Sequence, residues 1–182
     1  MSLLQRFLGI DGGPSAGRGS GKSGQPGETA SVRRIAGELE RLPADQARYL
    51  AAFAYVLARV AQADLRIEPA EVAAIREIVG GLAELSESEA ELVCQIACDQ
   101  SSHLGGSENY VVTREYRQLA TPEQRVQLLE CLFAVSASDG EISTTESHEV
   151  IAIAEELGFT RAQAFGVRSQ FREYVAELRP QK

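Results

Sequence analysis

The chain has 182 residues, 44% of them hydrophobic and 24% charged, with a formal net charge of −8. That length and mix suit one globular domain with a core of its own, and the acidic balance argues against nucleic acid as a partner. No apolar run approaches the roughly 20 residues needed to cross a bilayer, and the first residues lack a signal-peptide pattern.

At the start, Leu3, Leu4, Phe7 and Leu8 form a short apolar stripe at helical spacing, with Arg6 as its single charge. One reading is a terminal turn that frays or docks on its own domain. The other is a peripheral contact with a membrane surface or a partner, for which one basic residue is thin support. Residues 11–30 (DGGPSAGRGSGKSGQPGETA) are rich in Gly, Ser and Pro and predict a flexible linker. Residues 1–30 carry three basic and two acidic side chains, so the rest of the chain carries −9. Such a domain favours cations or basic protein surfaces. Three cysteines without an extracellular signal read as reduced thiols, and a cytoplasmic location is expected.

From Ser31 onward the residues favour helix, with abundant Ala, Leu, Glu and Arg. Apolar periodicity predicts helices near 31–41, 45–63, 69–80, 86–103, 121–138, 144–157 and 160–178, and a connection over 105–120 with a short helix around Tyr110–Leu119. Their starts are legible. Ser86 with Glu89, Thr121 with Gln124, Ser143 with Glu146, and Thr160 with Gln163 have the spacing of capping boxes. Glu68-Pro69-Ala70-Glu71 opens a helix with proline in its first turn.

The chain repeats itself. At an offset of 75, VAQADLRIEPAE (60–71) lies over VSASDGEISTTE (135–146), pairing Asp64 with Asp139, Ile67 with Ile142 and Glu71 with Glu146. Leu57 and Leu132, Ile75 and Val150, Ile78 and Ile153, and Leu82 and Leu157 extend the register. After one extra residue in the first copy, Ala90 matches Ala164 and Val93 matches Val167. The expectation is an all-α, single-domain bundle of about seven helices: a tail over 1–30, then a domain over 31–182 built from three-helix units at 45–103 and 121–178.

The duplicated Asp-x-x-Ile-x-x-x-Glu admits two readings. As scaffolding, Gly140 ends a helix in the left-handed conformation, Ile142 and Ile67 plug the turns, and Glu146 and Glu71 cap the next helices. Asp139 and Asp64 then accept backbone amides two residues on, although a carboxylate at a helix C-terminus has the wrong sign for the dipole. As a ligand site, Asp64, Glu71, Asp139 and Glu146 offer only oxygens. That points to a hard ion, Ca²⁺ or Mg²⁺ rather than Zn²⁺. An EF-hand is excluded, because counting from Asp139 its glycine and closing glutamate positions fall on Thr144 and Val150.

The doubled helix–ASDGEISTTE–helix arrangement resembles the TerB (tellurite-resistance protein B) superfamily over roughly residues 45–178. The second copy is the better match, since Leu65 stands where the family has glycine and Pro69 opens the following helix. The resemblance implies a helical bundle whose two halves share an acidic, metal-binding patch at Asp64, Glu71, Asp139 and Glu146. It also implies a part in tellurite and general stress responses.

Other candidates read as structure. Cys94 and Cys98 share a helix face and, with His103, lack a usual zinc spacing; they and Cys131 are expected in the core. His148 is expected on an exposed surface, and the basic residues, scattered among acids, on solvated faces. GRGSGKSG lacks Walker spacing and a preceding strand. The expected function is a non-enzymatic, cation-binding module with a protein partner. A purely structural interaction domain comes second and a metal-dependent hydrolase third.

Overall fold

The computed structural model describes residues 26–61, 69–100 and 109–178. The apolar stripe of residues 3–8 and the linker up to residue 25 lie outside the described residues. The described residues form eight α-helices: α1 Pro26–Glu40, α2 Ala44–Ala61, α3 Pro69–Leu82, α4 Glu87–Gln100, α5 Asn109–Leu119, α6 Pro122–Ser136, α7 Thr144–Glu156 and α8 Arg161–Arg168. Two 3₁₀ turns, Ser169–Phe171 and Ala176–Leu178, close the described chain. Among the described residues the only β pairing is an isolated parallel bridge between Ile142 and Val175.

The bundle is built around α2. Its sequence is apolar on every side, and each residue from Leu50 to Val60 is buried, the pattern of a helix enclosed by others. It packs against α1, α4, α5, α6 and α7, so helices of both repeat units meet on one continuous core. Each large side chain fully buried there, such as Leu50, Phe53 and Leu57, contributes about 1.5–3 kcal/mol of transfer free energy. Tyr49, Phe53 and Tyr116 pack ring on ring, with Tyr49 and Tyr116 stacked at 5.4 Å. The Tyr116 hydroxyl donates to the Gln124 carbonyl at 3.1 Å, tying α5 to α2 and to the first turn of α6.

Most paired repeat positions are core positions: Leu57, Leu132, Ile75, Val150, Ile153, Leu157, Ala90, Ala164 and Val93 are all buried. The symmetry breaks at Leu82, which is exposed where its counterpart Leu157 is not. Two boundaries differ from expectation. Helix α1 begins at Pro26, five residues before the predicted start, with proline in the first turn where its missing N–H costs nothing. The connection after α4 holds the expected short helix, Asn109–Leu119, anchored by buried Val112, Thr113 and Tyr116.

The last predicted helix stops at Arg168 instead of reaching residue 178. The reason is tertiary. Tyr174 and Ala176 direct their backbone groups to Ile142 rather than along a helix: the Ile142 amide donates to the Tyr174 carbonyl at 2.7 Å, and the Ala176 amide donates to the Ile142 carbonyl at 3.0 Å. Val175 between them is fully buried, and the helical ladder yields to these contacts.

Candidate functional site

The second copy of the repeated sequence forms the turn from α6 to α7. Helix α6 ends at Ser136, and the chain turns through Gly140, which sits at φ +95°. Nothing lies within 4 Å of where a side chain would begin, so the conformation and not the space requires glycine. The exposed carboxylate of Asp139 accepts the Glu141 amide at 3.0 Å through Oδ1. This is the Asx-turn that offsets an acid at a helix C-terminus. Ile142 then drops fully into the core.

At the start of α7, Ser143 Oγ accepts the Glu146 amide at 3.2 Å, and Glu146 Oε2 accepts the Ser143 amide at 2.8 Å. The capping box is complete, and Glu146 is only 6% exposed. Each of the two carboxylates therefore has a backbone amide as partner. Carboxylate oxygens are hard donors, the type that Ca²⁺ and Mg²⁺ take.

The structure puts Asp139 and Glu146 at the two ends of one turn. Asp64 lies outside the described residues, and of Glu71 only the backbone, in the first turn of α3, is described. Among the described residues no three His, Cys, Asp or Glu side chains converge as a metal-holding group. Half of the candidate set thus has donor chemistry suited to a hard ion, and its other half falls on the first copy of the turn.

One residue next to this turn corrects the sequence reading. Arg59 was expected on a solvated face, but its side chain is 5% exposed. Its Nε and Nη2 donate to Glu149 Oε1 at 3.1 and 2.8 Å, and its Nη1 donates to Glu156 Oε2 at 2.7 Å and Thr113 Oγ1 at 2.6 Å. Burial acts to lower the Arg59 pKa, but the bonds and charges of Glu156 and Glu149 outweigh it and hold it above the ordinary arginine value. The network joins α2 of the first unit to α7 of the second, one helical turn beyond Glu146. The positions corresponding to Arg59, Glu149 and Glu156 in the other copies are Ala134, Ala74 and Gly81, so the tie runs in one direction only. A single arginine inside the apolar run LAAFAYVLARVA was the signal that could have located it.

Among the described residues the other candidates gather into no site, and of the three cysteines expected in the core Cys98 is only half-buried. Cys94 and Cys131 are buried, and desolvation pushes both thiols up to about 12, which removes them as nucleophiles at neutral pH. Cys98 is half-buried and His148 is exposed; His103 lies outside the described residues. A cleft of about 350 Å³ between α1 and α4 is lined by charges of both signs, including Arg34, Glu38, Arg41 and Glu91, and shares no residue with the acidic turn.

The helical bundle agrees with the family comparison. The family model described as Tellurite resistance protein TerB matches residues 49–169. The chain belongs to the TerB family. The TerB match spans Asp64, Glu71, Asp139 and Glu146, the whole of α2 through α7 except the first residues of α2, and all of α8; it leaves out α1 and the C-terminal segment after residue 169. No curated protein and no solved structure matches the chain. No helix among the described residues is long and apolar enough to cross a membrane.

Proposed function

We propose that this TerB-family protein is a non-enzymatic binding module whose two acidic inter-helix turns together take a hard divalent cation, Ca²⁺ or Mg²⁺. The ion fixes the surface that a protein partner meets. The observation that carries the reading is the exposed Asp139 carboxylate on a turn hydrogen-bonded at both ends, with Glu146 seven residues on, in a motif that the sequence repeats at Asp64 and Glu71. An ion shared by the two copies would join the end of one helix to the start of the next in each unit. Its charge would offset the unfavourable meeting of an aspartate with a helix C-terminus. The tellurite and stress-response setting is the family's and is proposed here on that ground alone.

A second reading has its own support. The Asx-turn of Asp139 and the capping box of Glu146 account for the described pair as scaffolding, which leaves a partner-binding domain without an ion. Thermal-shift titration with Ca²⁺, Mg²⁺ and Zn²⁺ separates the two. Saturable stabilisation by Ca²⁺ or Mg²⁺ at up to about millimolar concentration supports the first. No stabilisation by any of the three ions leaves the scaffold reading. A parallel screen for phosphatase and esterase activity with added metal should find none above the metal-only rate.

A further inference from the structure

The C-terminal segment Arg172–Leu178 does not belong to the family match, yet it supplies two backbone partners of the acidic turn. Three sets of contacts fasten it. Phe171, just before it, stacks on Phe133 of α6 at 5.7 Å. Val175 is fully buried beside Ile142, and the two backbone bonds at 2.7 and 3.0 Å grip Ile142 from both sides. Glu177 receives Arg168 of α8 at 2.7 Å and the Thr144 hydroxyl from the first turn of α7.

Ile142 stands three residues after Asp139 and four before Glu146, so whatever fixes Ile142 fixes the relation between the two carboxylates. We propose that this C-terminal strap is a latch on the acidic turn: docked, it holds Asp139 and Glu146 in register for an ion, and released, it lets the turn loosen and the ion leave. The inference rests on the cation-binding reading for its ligand, and on the bridge to Ile142 for its mechanics. Because the two events share one element, the coupling is reciprocal, and a bound ion tightens the strap by the factor that the strap tightens the ion.

The bridge offers a selective perturbation. Ala176→Pro removes the amide that donates to the Ile142 carbonyl. Proline suits the first position of the 3₁₀ turn Ala176–Leu178, and Val175 before it pairs as a β-bridge residue, the kind of position that precedes a proline. Glu177→Gln is the second variant, weakening the Arg168 contact without touching the core. Amide exchange by NMR on the full chain reads the turn without any ion, and calorimetric titration with Ca²⁺ reads the site.

In both variants the Ile142 and Glu141 amides should exchange several-fold faster than in the wild type, on the order of fivefold for the lost bond in Ala176→Pro. Val93 in α4 should be unchanged. Ca²⁺ affinity should fall by a similar factor, and added Ca²⁺ should slow the Ala176 amide of the wild type. Unchanged exchange at Ile142 and Glu141 in both variants overturns the latch. Faster exchange with unaltered Ca²⁺ affinity overturns its coupling to the ion. A wild type that takes up no Ca²⁺ or Mg²⁺ overturns the cation reading and the coupling with it, while the exchange rates alone still decide whether the strap holds the turn.

Discussion

Replacing Arg59 by methionine tests the account of the inter-repeat tie. The substitution keeps most of the apolar stem volume in α2 but deletes bonds to Glu149, Glu156 and Thr113. Thr113 loses little, because its hydroxyl still donates to the Asn109 carbonyl at 3.0 Å. The cost falls on the two glutamates, whose side chains are 34% and 20% exposed. Removing one partner of a fully buried ion pair costs about 3–5 kcal/mol. Partial access of water to both carboxylates brings the expectation for Arg59→Met down to about 2–3 kcal/mol. Urea unfolding followed by far-UV circular dichroism measures this directly. At this chain length the melting temperature should drop by roughly 5–10 °C. Adding Glu149→Gln and Glu156→Gln to Arg59→Met should recover part of the loss, because no buried charge is then left unpaired. A loss below about 1 kcal/mol for Arg59→Met would place the pair among ordinary solvated surface bridges and refute the reasoning.

Three further outcomes are expected. Gly140→Ala, at φ +95° in open space, should cost about 1–2 kcal/mol from backbone conformation alone; Gly158→Ala, at φ +93°, should cost at least as much, since a Cβ would also meet the Arg117 guanidinium at 2.7 Å. Urea titrations of the two variants check both. Among titrating groups, the Ser86 hydroxyl holds the Glu89 pKa down, and Arg168 does the same for Glu177. A carboxylate with a depressed folded pKa stabilises the fold above its unfolded pKa and loses that contribution as pH falls through the folded one. Thermal melts should therefore decline as pH falls below the ordinary glutamate range, and Glu89→Gln should show a shallower decline. Thiol labelling of the native chain should modify Cys98 first, with Cys94 and Cys131 reacting on the timescale of unfolding; mass spectrometry of a labelling time course reads the order.

Much of the fold was legible because its signals are local. Four capping boxes named their helix starts, and all four, at Ser86, Thr121, Ser143 and Thr160, have both reciprocal bonds. Gly140 announced the turn, and the repeat register picked out the core positions, since side chains buried in one unit recur at equivalent places in the other. What escaped the sequence depends on contacts distant along the chain. The stop after Arg168 comes from backbone bonds to Ile142, and no local breaker marks it. The burial of Arg59 needs Glu149 and Glu156, which lie 90 and 97 residues away. The exposure of Leu82 against the burial of Leu157 shows that duplicated sequences occupy unequal places once the two units share one core. For the acidic turn, sequence supplied the residues and both readings, and the structure gave the amide partners that each carboxylate holds.

The most direct test of the proposed function follows the Glu141 amide, which donates to Asp139 Oδ1, by NMR during titration with Ca²⁺ and then Mg²⁺. A cation-binding turn predicts a saturable shift at Glu141 and Ile142 with a dissociation constant at or below about a millimolar. The same shift should be lost in the Asp64→Asn/Asp139→Asn variant. A shift that grows without saturating, or an unchanged response in that variant, would contradict the account.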